Sequence, residues 1–154
     1  MSFSFKTADE QEITPALAHA YGALLSELKG RPCEVALEEL AAAAAHRDSE
    51  LLLFMYDETG EAIGTAQASF QWVPLTYGAY INNVVVNATY RGQGLGALLM
   101  EELERQSKAR WPQLRKFMLT SSPQKGTQGF YLKLGYRMRT KEAGDETIVY
   151  VKEA

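Results

Sequence analysis

The residues best suited to do chemistry lie in Arg91-Gly92-Gln93-Gly94-Leu95-Gly96-Ala97. Three glycines at alternate positions strip Cβ atoms from a short stretch of backbone, so main-chain N–H groups can come close to a ligand. Before them stands Tyr80-Ile81-Asn82-Asn83-Val84-Val85-Val86, which reads as a strand and runs on through Asn87-Ala88-Thr89-Tyr90. After them comes Ala97-Leu98-Leu99-Met100-Glu101-Glu102-Leu103-Glu104, a run of strong helix formers. Strand, glycine-rich turn and helix together gather unpaired N–H groups at a helix N-terminus, where partial positive charge collects. Such a turn suits an anion, most often phosphate or pyrophosphate.

The elements that must position this turn are legible along the chain. Phe3 and Phe5 alternate with Ser4 and Lys6, the period of a short strand. Thr14-Pro15 opens a helix, and Leu17, Tyr21, Leu24 and Leu28 give it one apolar face. Gly30-Arg31-Pro32 interrupts it, and a second helix is expected from about Glu34 to His46, helped by the alanines Ala41 to Ala45. Leu51 to Tyr56 reads as a strand ending at the turn Asp57-Glu58-Thr59-Gly60, with Ala62 to Val73 as its hairpin return. Pro74 to Gly78 is expected to break the chain before the strand at Tyr80. Trp111-Pro112 limits the long helix, and Lys116 to Thr120 forms another strand. Gln124 to Leu134 reads as a short helix stopped by Gly135. Tyr136 to Thr140 and Thr147 to Val151 close the chain around a turn at Ala143-Gly144-Asp145. The order β-α-α-β-β-β-α-β-α-β-β describes one mixed α/β domain over residues 1–154.

Bulk properties narrow the function classes. With 154 residues, 46% hydrophobic and 23% charged, the chain suits one globular domain rather than a disordered one. A formal net charge of -3 gives no general basic surface, so a nucleic-acid partner is not expected. Cys33 is the only cysteine, which excludes an internal disulfide and a cysteine-rich metal site, and no metal is expected. The first ten residues lack the apolar core of a signal peptide, and no apolar run reaches membrane-spanning length. A soluble cytoplasmic protein with no membrane partner is the expectation.

Three phosphate-binding fingerprints compete for the glycine turn. A Walker loop fails at once, because no G-x-x-x-x-G-K-[ST] string occurs. Gly92-Gln93-Gly94-Leu95-Gly96-Ala97 does meet the dinucleotide pattern G-x-G-x-x-[GA]. That reading needs an acid at the end of the next strand to hold the ribose, and Leu119-Thr120-Ser121-Ser122 supplies none. A dinucleotide oxidoreductase therefore fails its own context. The third pattern, [QR]-x-x-G-x-[GA], is met by Arg91, Gly94 and Gly96. Set after Val84-Val85-Val86, it resembles the pyrophosphate loop of the GNAT superfamily of N-acetyltransferases. A second string, Gly129-Phe130-Tyr131-Leu132-Lys133-Leu134-Gly135-Tyr136, resembles that superfamily's F-Y-x-x-L-G-[FY] signature. The element order resembles the same fold over nearly the whole chain: a central mixed, mostly antiparallel sheet flanked by helices.

The resemblance implies an acetyl-coenzyme A co-substrate and acetyl transfer to a primary amine, without a covalent enzyme intermediate. It implies that backbone N–H groups from Arg91, Gly92, Gln93, Gly94, Leu95, Gly96 and Ala97 hold the pyrophosphate, with the Arg91 side chain stabilising the loop. Val84, Val85 and Val86 would pair with the pantetheine arm as an added strand, and a backbone N–H near Val85 would stabilise the oxyanion. Tyr131 occupies the position of the superfamily's recurrent catalytic tyrosine, a phenol able to protonate the departing thiolate; Phe130 and Tyr136 read as core. Gln124 stands where relatives often carry a cofactor-touching asparagine, and Lys125 could reach a nucleotide phosphate. The same loop also reads as a helix cap, with Ser122 as N-cap and Pro123 next. Many relatives have a glutamate base where this chain has Asn82 or Asn83, and an amide accepts no proton. Asn82 and Asn83 are assigned to the acceptor substrate. His19 and His46 are the titratable alternatives, and Cys33 has no histidine motif beside it. Trp72, Tyr77 and Tyr80 suggest a partly aromatic acceptor pocket. A small-molecule amine is the first expectation for the acceptor, a protein amine the second, and a non-catalytic acyl-coenzyme A sensor the rival of another class. Dimers are frequent in the superfamily, so a homodimer is compatible with the reading.

Overall fold

The computed structural model describes residues 2–73, 75–122, 126–139 and 147–154, apart from the side chain of Val73. In chain order the elements are β1 (Ser4–Thr7), α1 (Pro15–Lys29), α2 (Leu37–Ala45), β2 (Glu50–Tyr56), β3 (Ala62–Val73), β4 (Thr76–Val86), α3 (Leu95–Arg110), β5 (Lys116–Ser121), α4 (Gln128–Lys133), β6 (Arg137–Met138) and β7 (Ile148–Glu153). The order is the expected one. All seven strands join a single sheet, β1-β2-β3-β4-β5-β7-β6. Neighbours are antiparallel except β4 and β5, which run parallel.

Helices cover both faces of the sheet, which is why β2 reads as an unbroken apolar run. Leu51, Leu53 and Met55 pack on one face with Leu99, Met100 and Leu103 of α3. Leu52 and Phe54 pack on the other with Leu17, Tyr21 and Leu25 of α1 and Leu40 of α2. The Thr14 hydroxyl caps α1 by accepting the Leu17 N–H at 3.1 Å, and Gly30 ends it with φ 66°.

Several boundaries differ from expectation for local reasons. α2 starts at Leu37 rather than Glu34, because Ser26 Oγ accepts the Cys33 N–H at 2.8 Å and ties this connection to α1. Gly22 permits the approach, since a Cβ there would lie 3.0 Å from Cys33 O. β4 begins at Thr76, not Tyr80: Val73 and Thr76 already pair, and Gly78 lies within the strand opposite Gln71 and Lys116. The expected break is therefore confined to a tight turn, whose Pro74 falls outside the described residues. α4 begins at Gln128, so Ser122 does not cap it; Gly126 has φ 66° and Thr127 is the N-cap. Pro123, Gln124 and Lys125 lie outside the described residues, as do Thr140 and the turn expected at Ala143 to Asp145. Among the described residues no helix is long and apolar enough to cross a membrane.

Two irregularities in β4 shape the site. It pairs with β5 only at Gly78, Ala79 and Tyr80, after which the strands part. From Ile81 onward, the backbone groups of β4 that point away from β3 have no strand partner among the described residues. On its other side, the β3 pairing shifts register, so that Asn83 and Val84 together face Ala66 in a β-bulge. Asn83 sits there at φ 53°, a left-handed conformation that asparagine tolerates better than most residues.

Candidate active site

The glycine turn divides its work between conformation and packing. Gly92 and Gly94 have φ of 83° and 76°, and Gly94 is the N-cap of α3. Gly96 has no such φ. A Cβ on it would stand 3.3 Å from Phe130 Cε1 and Cζ, so its role is to let Phe130 pack against α3. The missing Cβ at Gly96 thus makes room for Phe130, in addition to the ligand approach expected of all three glycines.

The loop before the turn is fixed by hydrogen bonds. Arg91 Nε donates to Val86 O at 3.2 Å, and its Nη2 lies 3.6 Å from Glu27 Oε2. Glu27 Oε2 also accepts the Ala88 N–H at 3.1 Å, which ties the loop to α1. Tyr90 donates its hydroxyl to Asp57 Oδ2 at 2.8 Å. Hydrogen bonds from Thr59 and Tyr90 lower the Asp57 carboxyl to about 2, so it is a charged acceptor throughout the neutral range. The Arg91 side chain is thus engaged in holding the loop.

A cleft of about 490 Å³ opens where β4 leaves β5. Val84, Val85 and Val86 form one wall, and Arg91, Gly92, Gly94, Leu95, Gly96 and Ala97 form the end at the α3 N-terminus. Leu28, Tyr90, Gly126, Thr127, Phe130 and Tyr131 complete it. Of the predicted cofactor-binding residues, Gln93 is exposed and does not line the cleft, and Gln124 lies outside the described residues. The cleft offers an apolar body, a strand edge with no neighbouring strand among the described residues and a helix N-terminus for an anion. A long ligand with a peptide-like arm and a pyrophosphate fits all three.

Beside the cleft lies a smaller cavity of about 210 Å³, lined by Tyr80, Asn82, Asn83, Thr120 and Ser121 among others. Leu28, Val84, Thr127 and Tyr131 line both spaces and so mark their junction. Tyr80 and Thr120 hydroxyls are 2.8 Å apart, and Asn83 Nδ2 donates to Gln67 Oε1 at 3.5 Å. Gln67 Nε2 in turn donates to Glu50 Oε2 at 3.2 Å. Asn82 Oδ1 is buried and, among the described residues, has no hydrogen-bond partner. Leaving such an acceptor unmade costs about 1–3 kcal/mol. Among the described lining residues there is no carboxylate and no imidazole. Glu50 meets this polar row through two amides, which orient a neighbour but take up no proton.

Tyr131 is 9% exposed, on α4, with its ring 5.0 Å from Phe130, 6.1 Å from Tyr136 and 5.2 Å from Tyr150. Among the described residues its hydroxyl has no hydrogen-bond partner. Burial, with a smaller contribution from Tyr150, pushes its pKa above the ordinary phenol value. The group is therefore a neutral proton donor at every pH a cell presents. Tyr136 is core, as expected: it is 3% exposed and donates to Glu104 Oε2 at 2.9 Å, while Lys152 Nζ donates to Glu104 Oε1 at 2.8 Å.

Other candidates stand elsewhere. His19 on α1 and His46 just past the end of α2 are exposed and line neither space. Cys33 is half-buried in the α1–α2 connection. Trp72 and Tyr77 lie toward the opposite end of β4, where Phe70 stacks on Tyr77 and Trp111 at 5.2 and 5.1 Å, so the aromatic-pocket expectation keeps only Tyr80. Sequence reading missed Glu27, Leu28 and Lys29. Only Leu28 carried a signal, as the last member of the apolar face of α1.

A family model described as "Acetyltransferase (GNAT) family" matches residues 15–136. Solved structures similar to this one include glucosamine-6-phosphate N-acetyltransferase from Arabidopsis thaliana, 21% identical over 94% of this chain and 98% of that one, with a TM-score of 0.74. The acetyltransferase of the GNAT family from Streptococcus pneumoniae is 18% identical over 99% of this chain and 100% of that one, with a TM-score of 0.76. A Trypanosoma brucei acetyltransferase is 25% identical over 92% of this chain and 96% of that one, with a TM-score of 0.70. No curated protein matches the chain.

Proposed function

The chain belongs to the GNAT family of acetyltransferases and is an acyltransferase drawing on an acyl-coenzyme A, and from that premise we propose that it moves an acetyl group directly from acetyl-coenzyme A to a small primary amine. The observation that carries this reading is the meeting of two spaces at Val84 and Tyr131, one suited to the coenzyme and one lined by amides and hydroxyls.

Acetyl-coenzyme A, when bound, supplies a thioester whose C–S bond breaks as the C–N bond to the amine forms. The N–H groups from Gly92 to Ala97 bind the diphosphate, Gln93 through its backbone, while the Arg91 N–H, expected to join them, is donated to Ala88 O at 3.3 Å. The unpaired edge of β4 at Val84, Val85 and Val86 orients the pantetheine arm, and an N–H near Val85 stabilises the oxyanion. Tyr131 gives its proton to the departing sulfur and regains one from solvent. Asn82 and Asn83 hold the acceptor, with Asn82 Oδ1 taking an amine N–H. With no carboxylate or imidazole among the described residues lining their cavity, the amine enters in its unprotonated form and releases its extra proton to water after attack.

Thiol release from acetyl-coenzyme A over a panel of amines, in the wild type and in Tyr131→Phe, tests the proposal. The variant should lose about 100-fold in kcat while KM for acetyl-coenzyme A stays within about threefold. An unchanged rate would remove Tyr131 from the mechanism. Coenzyme binding without turnover on any amine would favour a sensor, the rival that the missing carboxylate makes specific. Turnover on peptides alone would favour a protein acceptor.

A further inference from the structure

The last turn of α1 points its charges in two directions. Successive residues on a helix are about 100° apart, so Glu27 and Lys29 face away from each other with Leu28 between them. Glu27 is engaged with Arg91 and the Ala88 N–H beside the coenzyme cleft. Lys29 lines the acceptor cavity, is exposed and, among the described residues, has no ion pair. It is also the one charged side chain among the described residues lining that cavity, whose other polar groups are amides and hydroxyls. The cavity is therefore polarised. Asn82 Oδ1, buried and unpartnered, offers an acceptor to an N–H group, and Lys29 offers a cation at the solvent side.

We infer that Lys29 selects acceptor amines that carry their own negative group, a carboxylate or a phosphate, so that the substrate is a compact anionic amine and not a polyamine. This rests on the acetyl-transfer reading above. The amine nitrogen sits at Asn82 beside the junction with the coenzyme cleft, and the anion sits at Lys29. A second ammonium would meet a like charge at Lys29 and no carboxylate to balance it. The volume of 210 Å³ corresponds to about seven water molecules of liquid, which limits the acceptor to a small molecule if it is to be enclosed. The α1 C-terminus also favours a cation, so the test must separate specificity from helix stability.

Acetyl transfer is measured as kcat/KM, referred to the unprotonated fraction of each amine, for matched acceptors: an α-amino acid and its amide, an amino sugar and its phosphate ester, and a linear polyamine. In the wild type one anionic member should exceed its uncharged partner by about tenfold, and which pair shows the preference tells carboxylate from phosphate. Lys29→Gln should bring that ratio to about one, Lys29→Arg should keep it, and Lys29→Glu should favour the polyamine. A purely structural role for Lys29 would lower the melting temperature and leave the ratio untouched. Transfer with no anionic preference, or a preference that survives Lys29→Gln, overturns the inference and leaves acetyl transfer standing. Absence of transfer to any amine, with acetyl-coenzyme A still bound, overturns both.

Discussion

The proposed reaction centre, a buried phenol and a pair of asparagines, is asymmetric. Tyr131 can give a proton, but the described lining of the acceptor cavity includes no group that would take one. The pH dependence should therefore belong to the substrate. As pH rises, kcat/KM should climb through the pKa of the acceptor amine itself, and exchanging one amine for another should move the rising limb by the difference in their pKa values. A limb fixed near pH 6–7 for every amine would reveal a histidine-like base. Because the Tyr131 pKa is raised, the proton donor should persist to above pH 10, and no fall in rate is expected below that value. The glycine turn and Tyr131 were legible in the sequence because each belongs to a short contiguous pattern. Glu27 and Lys29 were not. On the sequence they are ordinary charges at the end of a helix, and only the packing of α1 beside β4 brings them to the site.

Elements rather than single residues decide the shape of the cleft. The identity and order of all eleven strands and helices follow from periodicity, proline and glycine placement, and the apolar runs. What periodicity does not carry is the bulge at Asn83, because two residues facing Ala66 leave the alternation on either side intact. The start of α4 was misplaced for a similar reason: Ser122-Pro123 imitates a cap, while the chain turns at Gly126 and caps at Thr127. Asn83→Val would place a β-branched residue at φ 53° and remove the bond to Gln67. It should cost about 1–3 kcal/mol in denaturant unfolding and reduce acetyl transfer, while Asn83→Gly should recover most of the stability. Gly94→Val at φ 76° should cost about 1–2 kcal/mol, and it should weaken coenzyme binding more than acceptor binding, since the residue caps α3. Equal KM values for acetyl-coenzyme A in wild type and Gly94→Val would contradict that role of the turn.

Across the whole molecule, segments far apart in sequence are tied together away from the site. Asp9, in the single turn after β1, accepts from Arg110 Nη2 through both oxygens at 2.8 and 3.0 Å. Arg110 Nη1 donates to Glu50 O at 2.8 Å, so one guanidinium joins the N-terminal segment, the end of α3 and the start of β2. Burial alone would raise the Asp9 pKa, but hydrogen bonds from Arg110 and Thr7, with the Arg110 charge, hold it below its ordinary 3.8. A depressed carboxylate adds stability that is present above the unfolded value and is lost as pH falls through the folded one. Asp9→Asn should therefore lower unfolding stability by about 1.5–3 kcal/mol near neutrality, with the gap from wild type closing below pH 3.8. A gap that persists in acid would show that the charge is not responsible. The β4–β5 opening, away from this clamp, is the place proposed for the ligand. Calorimetric titration of acetyl-coenzyme A, with a nicotinamide dinucleotide as control, measures that most directly. Binding of acetyl-coenzyme A should be saturable and at least tenfold weaker in Gly94→Val, and the dinucleotide should give no heat. Absence of affinity for acetyl-coenzyme A, or affinity indifferent to Gly94→Val, would contradict the proposal.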